Sequence, residues 1–292
     1  MSAGAPADRP GRVAVIGAGT MGHGIAQVAA MAGYAVELVD TTAERVQTGL
    51  ERVRANLDEG VRRDKVSPAA RETALANLNG ITDIAAAAHE ADLVIEAVPE
   101  QLALKVNVLA RAAESAPDDA LLASNTSGLS ITEMQRALPG PARVVGLHFF
   151  NPVHIMALVE VVRGRDTSDA ALEAALAFAR RLGKEPIVVN DSPGFASSRL
   201  GVALGLEAMR MLEEGVASAA DIDRAMELGY RHPMGPLRLT DLVGLDVRLD
   251  IARHLHETLG GERFHPPAIL ERMVAEGRLG RKSGRGFYDW ND

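Results

Sequence analysis

Short apolar runs alternate with amphipathic segments along the first two thirds of the chain. Most of the runs lack a strict alternation of apolar and polar residues, which is typical of strands that are covered on both faces. Seven runs are predicted to be strands, at residues 12–17, 35–40, 92–98, 120–126, 144–150, 158–163 and 186–190. Six segments between them are predicted to be helices, at 22–32, 43–59, 68–78, 100–116, 131–138 and 169–182. This alternation predicts an α/β fold with a doubly wound, mostly parallel sheet of the Rossmann type.

The strand pattern stops after residue 194. Helices are predicted at residues 200–214, 218–228, 237–259 and 267–276. We therefore predict a loose tail at 1–10, a Rossmann-type domain at 11–190 and an all-helical C-terminal domain at 191–292. A part of roughly 100 residues is small for an independent core, so it is expected to pack on the first domain or on another subunit. Because the segment 237–246 is rich in apolar residues, we expect a homodimer through the helical domain.

Composition narrows the class of protein. The 292 residues include 31 Lys and Arg against 39 Asp and Glu, a net charge of −8, and this acidity argues against a nucleic-acid partner. The absence of cysteine excludes disulfides, a thiolate nucleophile and a Cys-based zinc site, and we predict no metal site. No apolar run approaches the roughly 18 residues that a membrane span requires, and the N-terminus lacks the apolar core of a signal peptide. We expect a cytoplasmic protein without a membrane partner.

A glycine-rich loop follows the first predicted strand and opens the first predicted helix. Its G-x-G-x-x-G pattern consists of Gly17, Gly19 and Gly22. These glycines permit a tight turn, a close approach of the backbone to a pyrophosphate and close packing of helix on strand, and the helix N-terminus supplies N–H groups to the phosphates. Asp40 ends the next predicted strand, where an acid accepts hydrogen bonds from an adenosine ribose. Two threonines follow with no adjacent Arg, so NAD is favoured over NADP.

One of the eight histidines stands where a ligand is expected. His148 lies toward the end of an apolar run, and open α/β sheets bind ligands outside the carboxyl ends of their strands. Twelve residues on, Glu160 is a lone carboxylate in a strand-like apolar stretch, so it needs a partner. A short turn at 151–156 would bring it to His148, where it would fix the imidazole tautomer and stabilise the imidazolium. A structural His–Glu pair is the alternative.

Eight segments in order resemble one enzyme family. The chain is similar to the 3-hydroxyacyl-CoA dehydrogenases, in particular to the short single-function 3-hydroxybutyryl-CoA type, over residues 11–290. The matching segments are 15–22 (VIGAGTMG), 124–127 (SNTS), 146–153 (GLHFFNPV), 158–161 (LVEV), 191–195 (DSPGF), 232–236 (HPMGP), 241–246 (DLVGLD) and 280–288 (GRKSGRGFY). Taken alone, the hydroxyls of 124–127 would be equally consistent with a helix cap, the commoner use of Ser and Thr at that position.

The resemblance implies a role for each matching residue. His148 is the general base, Glu160 its carboxylate partner, and Ser127 a hydrogen-bond donor to the substrate oxygen. The implied NAD contacts are Gly17, Ala18, Gly19, Thr20, Met21, Gly22, Asp40, Glu100, Lys105, Ser127, Asn151 and Lys282. The implied substrate contacts are Ser127 and, toward the nucleotide of CoA, Asn56 and Arg63.

The chain departs from the family pattern at one catalytic position. Ser198 stands where the family has a catalytic Asn. A Ser is shorter and lacks the paired groups of an amide, which leaves the rate, the substrate or the alignment by one residue open.

The resemblance implies reversible oxidation of a short-chain (S)-3-hydroxyacyl-CoA to the 3-oxoacyl-CoA with NAD, so an acyl-CoA thioester is the expected partner. Two alternatives stay open. The first is a dehydrogenase of a free 3-hydroxy acid of the gulonate or carnitine type, which Ser198 favours and the segment 148–152 disfavours. The second is a non-catalytic dinucleotide-binding structural or sensor protein, against which the pair of His148 and Glu160 argues.

Overall fold

A computed structural model of the chain describes residues 11–290. The chain divides into two compact units, Met1–Ser192 and Pro193–Asp292. The predicted domains meet between residues 190 and 191, whereas this division falls between Ser192 and Pro193. The predicted loose tail at 1–10 lies outside the described residues.

The first unit contains one mixed sheet. Its eight described strands are β1 (Arg12–Ile16), β2 (Ala35–Val39), β3 (Leu78–Ile81), β4 (Leu93–Glu96), β5 (Leu121–Ser124), β6 (Val144–Phe149), β7 (Leu158–Arg163) and β8 (Glu185–Asn190). They are arranged in the order β3-β2-β1-β4-β5-β6-β7-β8. Neighbouring strands are parallel except β6 and β7, which are antiparallel. A parallel crossover needs about a dozen residues or more, and the connection at 150–157 is shorter. The predicted doubly wound α/β fold is confirmed.

Helices cover both faces of this sheet. They are α1 (Gly22–Met31), α2 (Ala43–Arg62), α3 (Pro68–Ala76), α4 (Ile84–Ala88), α5 (Leu102–Ala113), α6 (Ile131–Arg136) and α7 (Asp169–Arg181). Several begin at a residue whose side chain accepts a hydrogen bond from the first turn, which satisfies an otherwise unpaired N–H. These N-caps are Thr42, Ser67, Asp83, Ser130 and Ser168. The core lies between strands and helices and includes Val15, Ile25, Leu38, Ile95 and Leu147, all fully buried.

Two elements of the first unit escaped the sequence pattern. Strand β3 is an edge strand that pairs only with β2 among the described strands, and its side chains are partly exposed. Its Asn and Gly interrupt the apolar run that would mark a buried strand. Helix α4 has five residues, too few to show a helical period of apolar positions.

The regular elements described in the second unit are helical, as predicted. They are α8 (Ser197–Glu213), α9 (Ala219–Gly229), α10 (Pro236–Val243), α11 (Leu245–Leu259) and α12 (Ala268–Ala275), with 3-10 turns at Glu262–Phe264 and Arg281–Ser283. The predicted single helix at 237–259 is wrong, because Gly244 has a φ of +105° and separates α10 from α11. Across residues 11–290, no helix has both the length and the apolar character needed to cross a membrane.

The last described residues of the second unit, 287–290, are fixed by a buried carboxylate. Asp241 is 1% exposed and accepts hydrogen bonds from the backbone of Phe287 and Tyr288, both at 2.9 Å. It also accepts one from Trp290 Nε1 at 2.8 Å. Asp223 accepts a hydrogen bond from the hydroxyl of Tyr288 at 2.7 Å. The segment 284–290 is therefore part of the helical unit's structure.

Candidate active site

The glycine-rich loop between β1 and α1 has a backbone that larger residues could not adopt. Gly17 has a φ of +107°, and a Cβ there would lie 2.7 Å from the carbonyl oxygen of Ala97. A Cβ on Gly22 would lie 1.6 Å from the carbonyl oxygen of Gly17. At Gly19, by contrast, a Cβ would meet no described atom within 4 Å, so the backbone is open on that side. A tight turn, a close helix approach and an open central glycine are what a dinucleotide pyrophosphate requires.

Asp40 follows β2 and is tied to this loop. Its Oδ2 accepts a hydrogen bond from the backbone N–H of Ala18 at 2.9 Å. Its Oδ1 accepts from the backbone N–H of Thr41 at 2.7 Å and from the Thr41 hydroxyl at 3.1 Å. Arg45, in the first turn of α2, has its Nη1 3.7 Å from the same oxygen. No Arg is adjacent to Asp40 in the sequence, but the turn into α2 brings Arg45 close to it in space.

A buried ionic network joins β4 to α5. Glu96, the last residue of β4, is fully buried, and Lys105 on α5 is 1% exposed. The ammonium of Lys105 lies 3.1 and 3.0 Å from the two carboxylate oxygens of Glu96, 3.1 Å from the carbonyl oxygen of Val98 and 3.2 Å from Glu100 Oε2. The Ser124 hydroxyl also donates to Glu96. Burial raises the pKa of Glu96 above its ordinary value even though Lys105 lowers it.

Glu100 connects this network to Ser127. Its Oε1 accepts hydrogen bonds from the Thr126 hydroxyl at 2.6 Å, from the backbone N–H of Ser127 at 2.8 Å and from the Ser127 hydroxyl at 3.1 Å. Burial alone would raise the pKa of Glu100, but Lys105 and the hydrogen bond from Thr126 outweigh it, so the pKa is lowered. The structure thus brings together Glu100, Lys105 and Ser127, three residues singled out in the sequence. Lys105 is enclosed behind the two carboxylates.

His148 and Glu160 are directly opposite each other on the antiparallel strands β6 and β7. The Nδ1 of His148 lies 2.7 Å from Glu160 Oε2. Glu160 is fully buried and His148 is 7% exposed. The ring of Phe150 lies 4.4 Å from the His148 ring, centroid to centroid. Because a carboxylate only accepts hydrogen bonds, Nδ1 is the ring nitrogen that donates to Glu160.

One cavity of about 320 Å³ joins these groups at the carboxyl ends of the strands. The Asn125 side chain, which accepts a hydrogen bond from the backbone N–H of Phe149 at 3.0 Å, is part of its wall. The lining residues are Met21, Ala97, Val98, Glu100, Asn125, Ser127, His148, Phe149, Phe150 and Asn151. The glycine-rich loop, the Ser127 loop and the His–Glu pair therefore meet at one place in the first unit.

A second cavity of about 920 Å³ in the first unit contains both residues that were assigned to the CoA nucleotide. Asn56 donates a hydrogen bond to Gln27 Oε1 at 3.1 Å, and Arg63 pairs with Glu59. Its titratable lining residues are Glu59, Arg63, Lys65, His154, Arg181 and Lys184, so Lys and Arg outnumber carboxylates.

Sequence reasoning missed several residues of these sites. Glu96, like Glu160, is a single carboxylate in an apolar strand, so the same reasoning would have identified it. Lys184 is 8% exposed, and its ammonium donates to the carbonyl oxygens of Val153 and Met156 at 2.5 and 2.8 Å. It thereby fixes the connection between β6 and β7, and burial lowers its pKa.

Two of the predicted site residues belong to the second unit. Ser198 lies in the first turn of α8. Lys282 lies in the 3-10 turn Arg281–Ser283, and its ammonium is 2.5 Å from Asp246 Oδ2. Their contacts with substrate and NAD stay predictions.

Comparison with known proteins assigns both units to one family. Residues 12–192 match the family described as 3-hydroxyacyl-CoA dehydrogenase, NAD binding domain, and residues 194–290 match its C-terminal domain. A probable 3-hydroxybutyryl-CoA dehydrogenase of Bacillus subtilis is 42% identical over 96% of this chain and 98% of its own length. The 3-hydroxyadipyl-CoA dehydrogenase of Escherichia coli is 44% identical over 95% of this chain and 58% of its own length. The crystal structure of (S)-3-hydroxybutyryl-CoA dehydrogenase from Ralstonia eutropha superposes with a TM-score of 0.93 at 41% identity, covering 96% of this chain and 99% of that chain. The chain belongs to the 3-hydroxyacyl-CoA dehydrogenase family.

Proposed function

We propose that this protein is an NAD-dependent dehydrogenase that reversibly oxidises short-chain (S)-3-hydroxyacyl-CoA thioesters, such as 3-hydroxybutyryl-CoA, to the 3-oxoacyl-CoA. The observation that carries this proposal is the His148–Glu160 pair, which opens on the same cavity as Ser127 and Met21 of the glycine-rich loop. The proposal is supported by relatives that span nearly their whole length and are named for 3-hydroxybutyryl-CoA.

The loop from Gly17 to Gly22 and Asp40 are the residues that would hold the dinucleotide. Gly19 and the N-terminus of α1 suit the pyrophosphate, and Asp40 suits the adenosine ribose because its carboxylate is already fixed by the backbone of Ala18. When bound, NAD supplies the acceptor for the hydride that leaves C3 of the substrate.

His148 takes the proton of the substrate hydroxyl. Glu160 accepts the hydrogen bond from Nδ1, which holds the ring in the tautomer whose Nε2 is basic. As the hydroxyl proton moves to Nε2 and the C3–O bond becomes a carbonyl, the imidazolium is stabilised by the buried Glu160 carboxylate. In the reverse direction the same imidazolium returns the proton to the oxygen of the 3-oxo group.

Ser127 orients the reacting oxygen. A hydroxyl has one hydrogen, and Glu100 lies at 3.1 Å to accept it, so donation to the substrate oxygen requires the hydroxyl to turn away from Glu100. The backbone N–H of Ser127 also donates to Glu100, which keeps the residue in place while the hydroxyl turns. Lys105 positions Glu100 from behind.

The larger cavity suits the nucleotide part of CoA. Arg63, Lys65, Arg181 and Lys184 provide positive charge for phosphates, and Asn56 lies on the same wall. A free 3-hydroxy acid would leave this basic cavity without a function. We also propose that the protein is a cytoplasmic homodimer that pairs through the helical unit. Ser198 is proposed to contact the substrate, and Lys282 to contact NAD.

The experiment that tests this function follows the NADH absorbance with acetoacetyl-CoA, a longer 3-oxoacyl-CoA and free acetoacetate at equal concentrations. We expect NADH oxidation with the thioesters only. Faster oxidation with the free acid would support the dehydrogenase of a free 3-hydroxy acid instead. Tight NADH binding without turnover of either class would support the non-catalytic alternative.

A further inference from the structure

The wall of the larger cavity in the first unit contains a histidine that the proposed mechanism does not use. His154 lies on the connection between β6 and β7 and lines the cavity of about 920 Å³. Its side chain remains accessible to solvent. Among residues 11–290, no carboxylate forms an ion pair with it. The imidazole is therefore available to a ligand that enters this cavity.

The backbone on both sides of His154 is held in place. The ammonium of Lys184 donates to the carbonyl oxygen of Val153 at 2.5 Å and to that of Met156 at 2.8 Å. Helix α1 packs closely on the same connection, since a Cβ on Gly24 would lie 2.9 Å from the Cβ of Val153. A ligand that contacts His154 therefore does not have to order the connection first, which would cost affinity.

The charged groups around His154 are mainly cationic. The two that act on it directly are His23, at the start of α1, and Lys184, between α7 and β8. The other titratable residues of the cavity wall, which come from α2, the segment after it and α7, are Glu59, Arg63, Lys65 and Arg181. The one carboxylate in this wall, Glu59, pairs with Arg63. A histidine among Lys and Arg side chains suits an anion, and a phosphate group matches their donors.

These surroundings link the protonation of His154 to the binding of an anion. Burial, His23 and Lys184 each lower the pKa of His154, so the ring is neutral over more of the pH range than an ordinary histidine. A phosphate group beside the ring would act in the opposite direction, because an opposite charge favours the imidazolium and raises its pKa. Binding of phosphate and uptake of a proton therefore support each other.

We propose that His154 in its protonated form binds a phosphate group of CoA, so that the affinity for CoA thioesters falls as the pH rises and the ring loses its proton. The inference rests on the proposed function, because that function supplies the CoA thioester. Below the pKa of the ring without ligand, His154 is charged before and after binding, and the affinity is highest. Between that pKa and the raised pKa of the complex, binding takes up a proton and the affinity declines with pH. Above both, the ring is neutral and its contribution is lost.

The test measures binding without turnover. Acetyl-CoA carries no 3-oxo group and therefore accepts no hydride, so it can be titrated calorimetrically into the NADH-saturated protein between about pH 6 and pH 8.5. Two buffers of different ionisation heat give both the Kd and the number of protons taken up. For the unmodified protein we expect a Kd about tenfold weaker at pH 8.5 than at pH 6, the size of one hydrogen bond to a charged group, with proton uptake between these limits. A tenfold change corresponds to about 1.4 kcal/mol.

Two substitutions at His154 make opposite predictions at high pH. His154→Gln should weaken binding about tenfold at pH 6, leave the Kd at pH 8.5 nearly unchanged and abolish most of the proton uptake. His154→Arg should keep the tight Kd at pH 8.5, because a guanidinium does not lose its charge there. A matched control is His89→Gln. His89 is exposed at the end of α4 and is not part of the cavity wall, so its removal should leave the pH profile as it is.

Acetyl-dephospho-CoA, which lacks the 3′-phosphate, shows which phosphate His154 contacts. If the difference between the unmodified protein and His154→Gln persists with this ligand, His154 contacts the diphosphate. If the difference disappears, it contacts the 3′-phosphate. Either result supports the inference.

Other outcomes overturn it. If the unmodified protein and His154→Gln have equal Kd values at pH 6, or equal proton uptake, His154 does not bind a phosphate. Loss of the uptake in His23→Gln with its retention in His154→Gln would assign the proton to His23 and also overturn the inference. Failure of the proposed function looks different, because acetoacetyl-CoA would then leave NADH unoxidised and acetyl-CoA would bind to none of these proteins.

Discussion

Removing the ammonium of Lys105 should leave two carboxylates without their cation. Lys105→Met keeps most of the apolar stem of the side chain, so the change isolates the charge. The ammonium lies within 3.1 Å of both oxygens of the fully buried Glu96 and 3.2 Å from Glu100. Breaking a buried ion pair from one side costs about 3–5 kcal/mol, because the remaining charge stays desolvated. We expect a loss of that size in the free energy of unfolding near pH 8.

The loss should shrink as the pH falls. The folded-state pKa of Glu96 is already raised by burial, and loss of Lys105 raises it further, so the folded variant gains a proton at a higher pH than the unfolded chain does. Its destabilisation is therefore relieved as the pH drops through that folded pKa. Glu100 acts in the same direction. Its pKa is lowered in the folded state, partly by Lys105, and this stabilises the fold at pH values above the ordinary pKa of the group. Loss of Lys105 removes part of that stabilisation, and this effect also shrinks as the pH falls.

Urea unfolding followed by far-UV circular dichroism at about pH 8 and about pH 5.5 measures both effects. Circular dichroism is used because Trp290, the single tryptophan, lies in the second unit and this network lies in the first. Compared with Lys105→Met alone, the double variant Glu96→Gln with Lys105→Met should recover about 2 kcal/mol of the free energy of unfolding, since coupling energies of contacting groups reach about 3 kcal/mol. A loss in the free energy of unfolding below about 1 kcal/mol in Lys105→Met, or a larger loss at the lower pH, would show that Lys105 does not stabilise these carboxylates as their cation.

Three further changes probe other parts of the molecule. Asp40→Ala should lower the preference for NAD over NADP by about tenfold or more, since one charged hydrogen bond is worth about 1.5–3 kcal/mol; an unchanged ratio of the two kcat/KM values would remove Asp40 from that role. Asp241→Asn should lower the free energy of unfolding by about 2–3 kcal/mol, because one carboxylate accepts from three donors including the indole of Trp290. An unchanged urea midpoint, measured by tryptophan fluorescence, would show that these hydrogen bonds contribute nothing. Lys184→Met leaves two carbonyl oxygens without their donor, so amide hydrogen exchange across residues 151–157 should accelerate, and unchanged protection there would contradict its positioning role.

The sheet and the dinucleotide loop followed from local patterns. Continuous apolar runs mark strands buried on both faces. Gly22 is required by a contact close in the chain, with the carbonyl oxygen of Gly17, whereas the contact that requires Gly17 is with the distant Ala97. The elements that were missed carry weak local signals, as in the partly exposed edge strand Leu78–Ile81. The break at Gly244 was missed because a glycine is tolerated within a helical pattern and only its φ of +105° shows the end of α10.

The site was predictable only where the pairing is local. His148 and Glu160 are joined by a short turn, so a strand register sufficed to pair them. For Lys105 the family resemblance implies a contact with NAD. Its burial against Glu96 depends on how α5 packs on β4, which the spacing of residues in the sequence does not reveal.

His148→Gln tests the proposed role of His148 as the base when kcat with acetoacetyl-CoA and the affinity for NADH are measured on the same preparation. Gln keeps a polar side chain of similar length but accepts no proton at neutral pH. We predict that kcat falls by about 10²- to 10⁴-fold, the range that general acid–base catalysis supplies, while the Kd for NADH stays within about twofold. Equal losses in kcat and NADH affinity, or a kcat that is retained, would show that the His148–Glu160 pair is structural.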